Sequence, residues 1–487
     1  MIMMETWRLE MNWCWGTLRD LSCIQQRMED FQVYDKKICD TNSKFMLYCC
    51  EYILMFVFQF PGMGENLLDA HTFSLDFQGN TYSTTTITQS HTTKLIVATI
   101  NRKVFCMELS MSHCARPCGC VVVPQSQEIQ FTYIPSGAEI ISIDAFNRSK
   151  HEEDFVIGVT IIKSAESGSA GQYLNIYSDS TWDNFSDSRP FQLENLAQNC
   201  VSLLLDFIPY QLSHCQVEDT TVWLLGGSDR RLHIYSEDTA KHMYMEVDPG
   251  TLLPELARTL PSVPLWTDIT VRGAVRVSAT GCEDGTLVVT KIRVNDPDSL
   301  ETFEKQFDGP LVSTRLFSLT PDPLTPPPYL KVKTDNTETQ NSPSLNLCVS
   351  HSLGETQVFH NILDSGLAQS SLLPGSDLHD IVTSLCVADV EMRGRQSLIL
   401  GTYGQQILCY EAGEDGSSEW RLAWSRSMSA PVLGVRCEDV TGDGVRELVV
   451  VTSRGVQVLQ PHLDTVKMVT IERLKSLVAT KQRLDKD

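Results

Sequence analysis

The chain has 487 residues and a formal net charge of −22, from 61 acidic against 39 basic side chains. That length can bury a large core, while the charge excludes a nonspecific nucleic-acid binder, which needs a basic footprint. The same charge argues against direct electrostatic docking on anionic lipid.

Residues 1–65 come first and differ from the rest. They carry Cys14, Cys23, Cys39, Cys49 and Cys50 with several Met and Trp and no strand periodicity, and are expected to be a poorly ordered N-terminal extension. Residues 45–60 (FMLYCCEYILMFVFQF) are the most apolar segment, but they span 16 residues and contain Glu51 and Gln59. A membrane-spanning helix needs about 20 apolar residues and tolerates a central carboxylate poorly. The segment also starts too far from Met1 for a signal peptide.

Beyond it, seven apolar runs each reach a small-residue turn and resume as a second apolar run. They are 94–109 (KLIVATINRKVFCMEL), 155–177, 222–235 (VWLLGGSDRRLHIY), 275–292 (VRVSATGCEDGTLVVTKI), 345–359, 397–410 (SLILGTYGQQILCY) and 447–459 (ELVVVTSRGVQVL). β-Branched and apolar residues around Gly, Asn or Asp predict two strands and a tight turn in each. A hairpin that cannot bury both faces alone must stack on its neighbours. The last two units align without gaps: Asp389 precedes Asp439, and Leu398 precedes Leu448, by the same 50 residues. Propeller blades repeat every 40–50 residues or so. The expected fold is therefore all-β, a seven-bladed β-propeller over residues 66–462, with a pair of β-sandwiches as the competing arrangement.

Further strand-like runs at 139–144, 201–207, 311–316, 383–390 and 432–437 are expected to be inner strands lining the channel. After Gln460 the chain meets Pro461 and turns helical, so the seventh blade lacks an outer strand. Residues 71–77 (HTFSLDF) are expected to supply it, which would leave no open edge between first and last blades.

Between these units, His113, Cys114, Cys118 and Cys120 form the one local His/Cys cluster, read either as cramped zinc ligands or as a loop with incidental thiols. Pro321, Pro323, Pro326, Pro327 and Pro328 block helix and central-strand hydrogen bonding, so 316–343 is expected to be a mobile insertion in blade five. The loop Asp439, Thr441, Asp443, Glu447 places oxygen side chains at positions one, three, five and nine, with Gly444 at six, as a calcium loop does. It resembles the FG-GAP repeats of integrin α chains. The aligned sibling loop has Arg393 at position five, and a turn held by Asx-type hydrogen bonds explains the same residues. Calcium at Asp439, Thr441, Asp443 and Glu447 is the one cofactor considered; no other is expected.

Residues 463–487 place Ile471, Leu474, Leu477, Val478 and Leu484 near helical spacing with Arg473, Lys475, Lys481 and Arg483 between, an amphipathic helix. It would pack on the propeller rim or dock on a partner. There is no Gly-x-Ser-x-Gly elbow, phosphate-binding glycine loop or His-Glu-x-x-His, and the eleven histidines share no spacing. His233, inside a strand, reads as a satisfied structural residue. The expectation is a protein without catalysis; a propeller hydrolase with a channel metal is the enzymatic rival. Of sixteen cysteines, Cys106, Cys348, Cys386 and Cys409 lie in apolar strands, which suits a reducing compartment.

Residues 130–149 (QFTYIPSGAEIISIDAFNRS), Leu174-Asn175-Ile176-Tyr177, 201–215 (VSLLLDFIPYQLSHC), 372–377 (LLPGSD), 401–410 (GTYGQQILCY) and 439–459 resemble the kaptin family. The resemblance runs in order from about Ala70 to the C-terminal helix and does not extend over residues 1–65. It implies a noncatalytic scaffold subunit of the KICSTOR complex. The implied partners are an FG-GAP-repeat propeller subunit, a very large scaffold subunit and a smaller fourth subunit. Through that assembly the GATOR complex would be recruited to the lysosome surface, restraining target-of-rapamycin signalling when amino acids or glucose are scarce. The family resemblance also implies an alternative, association with actin filaments in lamellipodia and stereocilia.

Overall fold

A computed structural model of the chain describes residues 67–484 apart from gaps at 90–91, 114–119, 149–154, 165–170, 179–192, 219, 239–242, 320–343, 393–394 and 414–418. Residues 1–66 and 485–487 lie outside the described residues, and with them the expected N-terminal extension and the apolar segment 45–60. So do Cys114 and Cys118 of the His/Cys cluster, Arg393 of the sibling loop and the prolines of the blade-five insertion. No described helix is long and apolar enough to cross a membrane.

The strands form seven antiparallel four-stranded sheets, which makes the fold a seven-bladed β-propeller. The seven apolar hairpins read from sequence are the two middle strands of each blade, Thr92–Ala98 with Val104–His113 in the first and Glu447–Thr452 with Gly455–Pro461 in the last. Middle strands are sandwiched on both faces, so they read as continuous apolar runs. The inner strands, in blade order, are Thr84–Gln89, Ala138–Asn147, Pro209–Val217, Pro264–Arg272, Leu311–Phe317, Val382–Ala388 and Val432–Glu438. Seven hydrophobic clusters each join residues of two adjacent blades, so the core is a ring of inter-blade seams.

Ring closure follows the expected plan, but the strand begins four residues earlier than the expected 71–77 and ends at Ser74. Leu67–Ser74 pairs antiparallel with Gly455–Pro461 as the outer strand of blade seven. Arg426 fixes its start, donating to the Leu67 carbonyl at 2.7 Å and pairing with Asp69 at 2.8 Å.

One inner-strand assignment is corrected. The run 201–207 is not the inner strand of blade three: Cys200–Leu205 is the outer strand of blade two, and the inner strand of blade three is Pro209–Val217. An inner strand carries polar residues toward the channel, here Gln211 and His214, and so looks less apolar than the outer strand before it.

Small residues set how closely blades approach. A Cβ on Gly401, in the second strand of blade six, would fall 2.5 Å from Val432 Cγ1 at the start of the next inner strand. Gly281 of blade four stands in the same relation to Leu311, at 2.7 Å. Past blade seven, a helix covers Leu463–Leu484; Val466 is buried, while Leu463 and Met468 are exposed.

Candidate functional site

The loop singled out by its acidic spacing lies between Val432–Glu438 and Glu447–Thr452. Its carboxylates turn onto their own backbone. Asp439 Oδ1 accepts from the Gly442 and Asp443 amides at 2.7 and 3.1 Å, and Oδ2 accepts from Gly444 at 2.8 Å. Asp443 Oδ1 accepts from Val445 N at 2.8 Å. Glu447, fully buried, accepts from Val440 N and from Thr441 Oγ1, both at 3.0 Å. Gly442 and Gly444 have φ of 71° and 87°, the left-handed conformation that the tight turn needs.

The sequence thus brings Asp439, Thr441, Asp443 and Glu447 together, but as an Asx-type turn with its lone pairs engaged. Burial, then the nearby Asp443 charge, pushes the Glu447 carboxyl up to about 8. Asp443 is also raised, chiefly by burial. A divalent cation would require an ionised Glu447 and the loss of several of these bonds. Among the described residues no group of three or more His, Cys, Asp and Glu is arranged to hold a metal ion.

The channel was not read from sequence beyond its strands. Polar groups of the inner strands, and Ser350 of the second strand in blade five, tie each blade to the next. Thr85 Oγ1 donates to Asp144 Oδ1 at 3.2 Å, and His214 Nδ1 meets Asp144 Oδ2 at 2.6 Å. Thr267 N donates to Gln211 Oε1 at 2.6 Å, and Leu316 N to Asp268 Oδ2 at 2.7 Å. Ser350 Oγ donates to the Val382 carbonyl at 3.3 Å, and Val435 N to Ser384 Oγ at 3.0 Å. Arg436 donates to the Thr84 carbonyl and completes the circuit. Burial raises Asp268 against the pull of Arg315.

These groups resemble a hydrolytic site only in composition. His214 bonds Asp144, yet no Ser, Thr or Cys among the described residues hydrogen-bonds its ring. Burial pushes the Cys200 and Cys386 thiols up to about 11 and Cys215 and Cys282 up to about 12, away from the thiolate a nucleophile needs. His233 has both ring nitrogens engaged, with Glu246 at 2.7 Å and Asp229 at 3.2 Å, and stacks on Phe207. What the arrangement offers is a rigid ring with two loop-bearing faces.

Three kinds of likeness bear on this ring. The family model described as "KICSTOR complex protein kaptin" matches residues 67–471, which is the propeller and the first turns of the helix. The mouse (Mus musculus) KICSTOR complex protein kaptin is 36% identical over 367 residues, covering 73% of this chain and 80% of that protein. Among solved structures, BBS1N crystallised with ARL6DN and soaked with mercury covers 82% of this chain and 98% of its own, with a TM-score of 0.46 and 10% identity. The WD40 β-propeller domain of Doa1 covers 82% of this chain and 98% of its own, with a TM-score of 0.46 and 11% identity. With the family model spanning every blade and the mouse relative well above chance identity, the chain belongs to the kaptin family.

Proposed function

We propose that the protein is a noncatalytic scaffold subunit of a KICSTOR complex, acting by surface docking. The observation that carries the reading is the family match across all seven blades. A ring whose blades are tied to one another by polar hydrogen bonds is consistent with it. The partners would be the FG-GAP-repeat propeller subunit and the large scaffold subunit, with the GATOR complex engaged through the assembly. The place of action would be the cytoplasmic surface of the lysosome, and the outcome restraint of target-of-rapamycin signalling when nutrients are scarce.

The test is a tagged pull-down of the full chain from nutrient-starved cells with mass spectrometry of what is bound. Recovery of the FG-GAP-repeat and large scaffold subunits without stoichiometric actin is expected. Recovery of actin without those subunits would overturn the scaffold reading and favour actin-filament association instead.

A further inference from the structure

In each blade, the turn between second and third strands and the link to the next blade open on one face of the ring. On the arc from blade four to the turn of blade six these are residues 283–285, 307–310, 352–356, 373–381 and 403–405. Four large apolar side chains stand out of them: Leu353 is 61% exposed, Leu378 77%, Ile381 37% and Tyr403 52%. Leu378 is the most exposed large hydrophobic among the described residues. Single exposed apolar residues need no explanation, but a contiguous group marks an interaction site.

Hydrogen bonds join the loops that carry these side chains. Phe307 N donates to the Gly285 carbonyl at 2.9 Å and Ser352 N to the Pro310 carbonyl at 3.0 Å. Gly375 N donates to Glu355 Oε1 at 2.6 Å and Thr356 N to Ser376 Oγ at 2.8 Å. Tyr403 N donates to the Ile381 carbonyl at 2.9 Å. Five loops from three blades therefore form one braced rim, and a pre-ordered surface loses little entropy on binding.

The charge of this rim has one sign. Its loops carry Glu283, Asp284, Asp308, Glu355, Asp377 and Asp380, and neither Lys nor Arg. The basic loop residues of the same face are Arg102, Lys103, Arg230, Arg231 and Arg454, of blades one, three and seven, and Arg258 in the link from blade three to blade four, which is paired with Glu304 at 2.6 Å. Six carboxylates repel nucleic acid and anionic lipid, and they attract Lys and Arg set beside an apolar stripe.

We propose that this acidic, apolar rim docks a protein segment whose aliphatic side chains are flanked by Lys and Arg, with Leu378 and Tyr403 as its anchors. The proposal deepens the scaffold reading by naming a docking surface and the chemistry of what it takes.

The test purifies the assembly from cells through the tagged full chain and treats it with a water-soluble carbodiimide, which joins contacting carboxylates to lysines. Bonds from Asp377 or Asp380 to lysines in an aliphatic-rich segment of a co-purifying protein are expected. Leu378→Ser with Tyr403→Ser should lower their yield about tenfold, since truncating an anchor commonly costs more than 1 kcal/mol. Asp377→Asn with Asp380→Asn, which keeps the apolar group, should lower the partner's recovery and flatten its salt dependence. An unchanged melting temperature shows that either variant is folded. The proposal is overturned if the bonds persist in the Ser variant, if they join the rim to a second copy of this chain, or if the partner crosslinks only elsewhere. Absence of the KICSTOR subunits from the wild-type assembly would instead sink the scaffold reading and leave the rim to be judged on its own crosslinks.

Discussion

The Asp144 carboxylate of blade two bridges its neighbours on both sides, accepting from His214 Nδ1 of blade three at 2.6 Å and from Thr85 Oγ1 of blade one at 3.2 Å. Burial alone would lower the His214 pKa, and Arg436 acts the same way. The Asp144 charge and hydrogen bond outweigh both, so the pKa stands above its ordinary value. A histidine raised on folding stabilises fully below its unfolded pKa of about 6.5, and loses that contribution as pH rises through the folded value. In Asp144→Asn, burial and Arg436 act unopposed and the His214 pKa should drop below the ordinary value. An NMR titration of the imidazole checks the reversal; an unshifted midpoint would show that Asp144 does not set it.

The closing strand gives a second prediction. Removing residues 67–74 strips Gly455–Pro461 of its outer partner, opens the two seams that Leu67 and Phe73 each help to fill, and frees Arg426 from the Leu67 carbonyl and Asp69. An unpaired strand edge templates association with other chains. A chain beginning at residue 75 should melt lower and self-associate with rising concentration. Sedimentation velocity across a concentration series reads this, and a monodisperse monomer at wild-type melting temperature would contradict it.

The propeller was legible because its middle strands are buried on both faces: 397–410 and 447–459 announce themselves as apolar pairs. Outer strands were not. Asp296–Gln306 of blade four (DPDSLETFEKQ) is charged and exposed because solvent covers one side, and nothing in its composition says strand. The mistaken inner strand at 201–207 has the same origin in reverse, an outer strand with an unusually apolar run. Gly401 and Gly281 each sit within a strand where the next blade leaves no room for a side chain, a closeness that no spacing in the sequence marks. The spacing of Asp439, Thr441, Asp443 and Glu447 located a loop whose side chains do converge. Whether such oxygens face inward or toward a cation depends on backbone angles that composition does not encode. The channel ring escaped notice because its members, such as Gln211 and Ser384, are ordinary residues brought together only by closure.

At Gly401, a Val side chain would collide with Val432 and Val435 of the next blade. Overpacking of this kind costs about 1–3 kcal/mol. Gly401→Val should lower the denaturant midpoint accordingly, while the same change at Gly444, where a Cβ meets nothing within 4 Å but φ is +87°, acts through backbone strain instead.

The Glu447 carboxyl, up to about 8, makes the turn sensitive to pH. A carboxyl raised on folding contributes its stability fully below the unfolded value near 4.3 and loses it as pH rises through the folded value. The window runs from about 4 to about 8. Its proton is accommodated because the Thr441 hydroxyl can accept as well as donate. Glu447→Gln should remove the decline in stability across that window, measured by thermal melts from pH 5 to 9. Calcium should leave the wild-type melting temperature unchanged; a rise with added calcium, lost in Asp439→Ala, would establish a metal loop instead.

Arg276 and Glu255 are the most deeply buried opposite charges with a direct bond between them among the described residues, 6% and 3% exposed. Arg276 Nε donates to Glu255 Oε1, and Nη2 donates to Oε2 at 3.0 Å, a two-pronged contact. It pins the Pro254–Leu256 turn, which links blades three and four, to the second strand of blade four. Removing one partner strands a buried charge, at a cost of about 3–5 kcal/mol, whereas replacing both with apolar groups of similar volume is often neutral. Arg276→Met should therefore destabilise strongly and Arg276→Met with Glu255→Leu should recover most of the loss. Denaturant midpoints of the two variants decide it. Equal destabilisation would mean that the pair serves the linker's geometry through its hydrogen bonds, rather than through mutual neutralisation of two charges.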